Sequence, residues 1–378
     1  MDFEPLRAYM QSLMGKGVPA LEMIVMRDHE TLFHEVMGYS DAQQTVKATP
    51  DDRYWLYSCT KPVTAAAAMR AMEEGLFTLE QPAAEILPAY KDVYLLKDGV
   101  RVKPENTMTV RHLMTMSAGL NYNFDRDSIR CAMARHDNRA TTVEIAEALA
   151  EDPLDFEPGA RFQYSLCHDV LAAVIEKASG MTFRDYVKTR ILDPLGMAHT
   201  DFDTALPKNL SALYRWDDEK KDIVLQSPMN GYVISPAYFS GGAGLCATAS
   251  DYVAFADAMA CGGVGKSGAR ILRDESIERM RAERISSFSA IAQFSCTCGP
   301  DYGYGLGVRT RTHFDHGAVS ALGEFGWDGA AGADILIDPV HHLSMVYVQH
   351  VLNWPSMLGT VHLQIRDVLY PLLREMEK

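Results

Sequence analysis

Strand-forming segments lie at both ends of this chain, separated by a long block of helical and loop signals, so any sheet it forms must be assembled by bringing the two ends together. Near the start, Leu21 to Met26 and Thr31 to Met37 flank the polar turn Arg27-Asp28-His29-Glu30 and predict a hairpin, with a short strand following at Tyr54 to Tyr57. Near the end, strands are expected at Tyr304 to Arg309, Ala321 to Trp327, Ala333 to Ile337 and Leu343 to Val348. Helices close both termini: Phe3, Leu6, Met10 and Leu13 recur at helical spacing, and Ser356 to Met376 is helix-forming. Lys61 to Glu74, rich in Ala and Met and ended by Gly75, reads as a buried helix.

Between the two sets of strands, helices are expected at Thr109 to Met116, Thr142 to Ala150, Cys167 to Ser179 and Thr182 to Ile191, with Pro and Gly turns between them. Two more, at Ser250 to Met259 and Asp274 to Arg284, precede the late strands. The pattern predicts an α/β (α+β) chain: a sheet domain from residues 1–78 and 237–378, and a mainly helical domain from 79–236. A site is expected in the cleft between them.

Composition narrows the function. With 378 residues, 47% of them hydrophobic, the chain can bury a large core. Its net charge of -14 and lack of a basic run argue against nucleic acid or an anionic membrane as partner. The first residues are acidic rather than basic, unlike a signal peptide, and no apolar run is long enough to span a bilayer. Seven cysteines, five of them isolated, suit reduced thiols, so a cytoplasmic location is expected. Cys296-x-Cys298 lacks the companion ligands of a zinc site, and the adjacent pair His341-His342 on a strand would face opposite ways. No His-Glu-x-x-His run or Gly-x-Ser-x-Gly elbow occurs, so neither a metal nor another cofactor is expected.

One segment carries chemistry. In Ser58-Cys59-Thr60-Lys61, Pro62 fits only the first turn of a helix and so fixes the helix start, leaving Ser58 and Lys61 on one face. A serine needs a neighbour to take its proton, and a desolvated lysine is one such neighbour. Such a pair also arises by chance as a helix cap followed by a surface lysine. Two further segments point the same way. Glu157 to Ser165 is a turn and extended run that holds Tyr164 at a fixed point, where a phenol hydrogen-bonded to the Lys61 ammonium is easier to ionise and, once ionised, can take the Ser58 proton and return it to the leaving group; the alternative is an ordinary core tyrosine. Phe325 to Gly332 is a strand rich in small residues along which a substrate can lie, one N–H of which would join that of Ser58 in an oxyanion hole; the alternative is a strand bend with Trp327 in the core.

Taken in order, these segments resemble the serine β-lactamase and penicillin-binding-protein superfamily over nearly the whole chain, particularly class C β-lactamases, their D-peptidase relatives and family VIII carboxylesterases. Further matches are Thr109-Val110-Arg111-His112-Leu113-Met114, Pro194-Leu195-Gly196-Met197 and Gly241-Gly242-Ala243-Gly244-Leu245. The resemblance implies an antiparallel sheet flanked by helices with a helical lobe, acylation of Ser58, proton transfer by Lys61 and Tyr164, and oxyanion-hole amides from Ser58 and Ala330. It departs in two places. Leu166 stands where the lactamase-like pattern has Asn, and Trp327-Asp328-Gly329 stands where a cation, Thr and Gly are usual.

Without that cation, and with Asp328 repelling a substrate carboxylate, a small-molecule ester or other neutral acyl compound is the expected substrate. Trp327, Asp328, Gly329, Leu166, Tyr122 and Phe124 are the expected substrate-side residues. A β-lactamase or D-peptidase activity, and a non-catalytic binding or scaffold role, remain as alternatives, and an oligomer is compatible with the sequence.

Overall fold

The computed structural model describes residues 2–282, 301–314, 317–355 and 357–376. The expected helix end at Arg284, the Cys296-x-Cys298 pair and Ser356 lie outside these residues.

The chain opens with helix α1 (Glu4–Met14) and a hairpin of β1 (Ala20–Arg27) and β2 (Glu30–Gly38). Asp28 and His29 take left-handed conformations, as a tight two-residue hairpin turn requires. Strand β3 (Arg53–Trp55) leads through a turn of 3-10 helix at Tyr57–Cys59 into α2 (Thr60–Glu73). The inserted block carries α3 (Ala83–Ile86), the hairpin β4 (Leu95–Lys97) and β5 (Val100–Val102), and α4 (Val110–Met114), α5 (Asp127–Arg135), α6 (Thr142–Leu149), α7 (Cys167–Ser179) and α8 (Phe183–Val187). It ends with a second hairpin, β6 (Tyr214–Asp217) and β7 (Asp222–Leu225). Then come β8 (Cys246–Thr248), α9 (Ala249–Ala260), α10 (Asp274–Arg281), β9 (Tyr302–Tyr304), β10 (Arg309–Arg311), β11 (Phe325–Asp328), β12 (Asp334–Asp338), β13 (Leu343–Gln349), β14 (Val351–Leu352) and α11 (His362–Met376).

The ends do meet. The main sheet has the order β2-β1-β13-β12-β11-β10-β9, and the pairing that unites early and late strands joins β1 to β13 antiparallel, with Leu21 opposite Gln349 and Arg27 opposite Leu343. Side chains alternate across it. Leu21, Met23 and Val25 of β1, with Leu343, Met345 and Tyr347 of β13, pack on one face against Leu6, Met10 and Leu13 of α1 and Ile365 and Leu369 of α11. Ile24, Val346 and Val348 point the other way, into the larger core. That core continues without a break through α2 to Val170 and Leu171 of α7 and Phe183 of α8, so the inserted block packs directly on the sheet-side helices. Helix α2 is buried on nearly all sides, which is why Ala65 to Ala68 are small.

Several expectations change. Tyr304 to Arg309 is a turn between β9 and β10 rather than one strand: Gly307 has φ +83, and a Cβ there would lie 2.6 Å from the Ala65 Cβ and 2.9 Å from the His168 ring. Close approach to α2 and α7 therefore outweighs the strand-like composition. The β4–β5 and β6–β7 hairpins and α5 add elements that the sequence did not signal. His341 and His342 occupy the turn before β13 and bind different carboxylates, Asp338 and Asp28, each at 2.7 Å. Among the described residues no helix is long and apolar enough to cross a membrane.

Candidate active site

The nucleophile segment is pinned from several directions. Strand β3 pairs with β8, and the pairing continues as Leu56 N donates to Leu245 O at 2.9 Å. Tyr57 then takes a left-handed φ of +47, a conformation costing a β-carbon residue about 1–3 kcal/mol, and so turns the chain sharply just before Ser58. Buried hydroxyls fix the start of α2: Leu245 N donates to Thr60 Oγ1 at 3.0 Å, and Thr64 Oγ1 donates to Gly241 O at 2.6 Å. Ser58 stays partly exposed while its neighbours are buried.

Two side chains meet at Ser58. Lys61 Nζ lies 3.1 Å from its Oγ, and the Tyr164 hydroxyl donates to the same oxygen at 2.6 Å. Lys61 also donates to Gly242 O at 2.7 Å, and the Tyr122 hydroxyl lies 3.4 Å away. Complete burial of the ammonium pushes its pKa down to about 7, against a smaller upward pull from Asp169. A free amine suits this geometry: two N–H bonds face Gly242 O and the Tyr122 oxygen, and the lone pair faces Ser58.

Tyr164 sits on a run held at both ends. Gln163 N donates to Met116 O at 2.8 Å, and Leu166 N donates to Asn121 O at 3.2 Å. Its ring is sandwiched between Tyr122 (centroids 5.2 Å apart, 7° between planes) and Trp327 (5.7 Å, 24°), and Lys61 Nζ lies 4.5 Å from its centroid. Burial pushes the phenol well above its ordinary range, more than the Ser58 and Trp327 hydrogen bonds offset. The expectation of an easily ionised Tyr164 is thereby revised: the resting group is a phenol, suited to giving a proton.

The third motif also differs from expectation. Trp327 is buried, not an open wall. Its indole N–H donates to the Tyr164 hydroxyl at 3.3 Å, and its ring meets Tyr304 edge-on. Asp328 points to the opposite face of β11 and does not present charge to the cleft. It pairs there with Arg309 and with His362 Nδ1 at 2.8 Å, in a buried network that Arg309, Asp334, Arg366 and Glu324 extend. Burial would raise its pKa, but Arg309 and His362 prevail and hold it below the usual carboxylate range. Gly329 serves close packing: a Cβ there would lie 2.4 Å from Leu56 O. That contact sets the exposed Ala330, in the turn after β11, beside the strand leading to Ser58.

Leu166 is buried in the core at the start of α7, so its side chain does not line the cleft. Phe124 is half-buried, edge-on to Tyr122 and Tyr232. Tyr232, which also meets Tyr57 and Tyr122, had no sequence signal beyond being aromatic. Asp169 was likewise missed, although an acidic residue directly before the apolar run Val170 to Ile175 was a cue.

Residues 6–369 match the Beta-lactamase family model. The chain belongs to the beta-lactamase family. Among curated relatives of this family member, Protein Rv1367c of Mycobacterium tuberculosis is 30% identical over 354 residues, covering 88% of this chain and 85% of its own. Esterase EstB of Burkholderia gladioli is 26% identical over 385 residues, covering 95% and 93%. Among solved structures, EstCE1, described as a hydrolase with promiscuous acyltransferase activity, superposes with TM-score 0.80 at 25% identity over 97% of this chain and 98% of its own. The antiparallel sheet flanked by helices is thus that of the β-lactamase and penicillin-binding-protein fold, and the family is one of serine hydrolases.

Proposed function

We propose that the protein hydrolyses carboxylic esters through an acyl-enzyme on Ser58. The observation that carries this reading is the placement of one partly exposed serine hydroxyl between a buried amine at 3.1 Å and a phenol at 2.6 Å. As Oγ attacks the carbonyl carbon, its proton passes to the free amine of Lys61. The backbone N–H groups of Ser58 and Ala330 receive the developing oxyanion, each such donor contributing on the order of 3 kcal/mol. Collapse expels the alcohol, which takes its proton from Tyr164, and the proton held on Lys61 restores the phenol. Water then attacks the acyl carbon, and the same groups return Ser58 to its starting state.

An ester is favoured over a β-lactam because Trp327, an uncharged side chain, stands at the motif position where a cation would hold a substrate carboxylate. The likeness to Esterase EstB and EstCE1 supports the same choice. Repulsion by Asp328 is no part of the argument, since its carboxylate is buried with Arg309.

A fluorophosphonate probe is expected to label the wild type and not Ser58→Ala, and short p-nitrophenyl esters to turn over faster than nitrocefin. Equal labelling of both proteins would remove Ser58 as nucleophile, and faster nitrocefin turnover would replace the esterase reading with a lactamase one.

A further inference from the structure

Asp169, in the first turn of α7, is buried, and among the described residues no cation forms an ion pair with it. Its Oδ1 accepts from the Tyr238 hydroxyl and the Ser240 hydroxyl, both at 2.6 Å, and from Gly242 N at 3.4 Å. Its Oδ2 is buried with no hydrogen-bond partner. A buried carboxylate half-satisfied by neutral donors is costly, and the cost falls when the group it faces takes up a proton.

The facing group is Lys61, across a bare α-carbon. A Cβ built on Gly242 would lie 2.6 Å from Asp169 Oδ2 and 3.5 Å from Lys61 Nζ, so both groups converge on the one position that a side chain would fill. The carbonyl of that same Gly242 accepts from Lys61 at 2.7 Å.

We propose that Asp169 is a positioning residue for the reaction at Ser58: it fastens the Tyr238–Gly242 segment that holds Lys61, and its charge faces the amine across Gly242. The inference rests on the serine-hydrolase reading. Asp169 is the largest influence opposing the effect of burial on the Lys61 pKa. Among the described residues, the other groups facing the amine are Ser58 and Cys59 before α2, Cys167 and His168 on α7, and Tyr122 and Tyr164 from the inserted block. None of these is a carboxylate. Asp169 thus keeps the amine basic enough to accept the serine proton in a pocket whose dryness would otherwise depress it further.

The test is the fluorophosphonate labelling rate constant of Ser58 against pH for the wild type, Asp169→Asn and Ser240→Ala. The rate constant belongs to the molecules that react, so partial misfolding of a variant does not obscure it. Asp169→Asn keeps the hydrogen-bond acceptor and removes the charge, so its acid limb is expected to move to lower pH by about one unit, the effect of one nearby opposite charge. Ser240→Ala loosens the segment and keeps the charge, so the limb is expected to stay in place while labelling slows. An unmoved limb in Asp169→Asn, or an equal displacement in Ser240→Ala, overturns the proposal. Failure of the wild type to label at any pH would instead overturn the hydrolase reading.

Discussion

Replacing Lys61 by Met is expected to abolish labelling of Ser58 while making the protein relatively more stable as pH falls. Lys61 is completely buried, and its pKa drops from 10.5 to about 7 on folding. The unfolded chain therefore binds a proton between those values that the folded chain does not, and stability contributed by this group rises with pH across that window. The full depression corresponds to roughly 5 kcal/mol in favour of the neutral amine, a cost complete below about pH 7 and gone above about 10.5. Between pH 9 and pH 6 that cost grows by about 3 kcal/mol. Methionine fills much of the same volume and has no such dependence. Urea unfolding at the two pH values checks this: the stability of Lys61→Met minus that of the wild type is expected to be larger at pH 6 than at pH 9 by about that 3 kcal/mol. A difference independent of pH, or larger at pH 9, would show that Lys61 is not held as a free amine, and with it the proton-transfer assignment fails.

Trp327→Phe keeps a ring against Tyr164 and removes the indole N–H that donates to its hydroxyl at 3.3 Å; a loss of about 1–1.5 kcal/mol predicts roughly a tenfold slower labelling rate, and an unchanged rate would leave the indole without a role in orienting Tyr164. Arg309→Met removes one cation from the buried carboxylates of Asp328 and Asp334 and leaves them His362 and Arg366, with an expected loss of about 3 kcal/mol in urea unfolding at pH 7. Because Asp328 is held below its ordinary pKa, that loss is expected to shrink as pH falls below about 4, where the unfolded carboxylate protonates; a loss under about 1 kcal/mol at pH 7 would mean the network does not depend on Arg309.

By itself the sequence determined what depends on neighbours along the chain. Two β-prone runs and the polar Arg27 to Glu30 turn specified the β1–β2 hairpin, and the separation of early from late strands required a sheet closed between the two ends. Pro62 and the three-residue spacing put Ser58 and Lys61 on one side of a turn, because helix geometry is local. The adjacency of Trp327 and Asp328 on a strand bars both from one face, which the expectation of two substrate-side residues there did not take into account.

Which of that pair faces the site was decided only by packing. Trp327 lies against Tyr164, from the inserted block, and Asp328 meets Arg309 and His362 on the far side of β11. Leu166 left the cleft for the same reason: a leucine at the start of an apolar helix is buried wherever the surrounding helices close over it. Most dependent on tertiary structure is the environment of Lys61. Its free amine results from desolvation by burial, and the charge that moderates it, Asp169, is brought close across Gly242 by contacts between residues 69 to 73 positions apart. Spacing can bring a lysine to a serine, but a pKa is set by everything that excludes water from the group, and that is known only once the chain has folded.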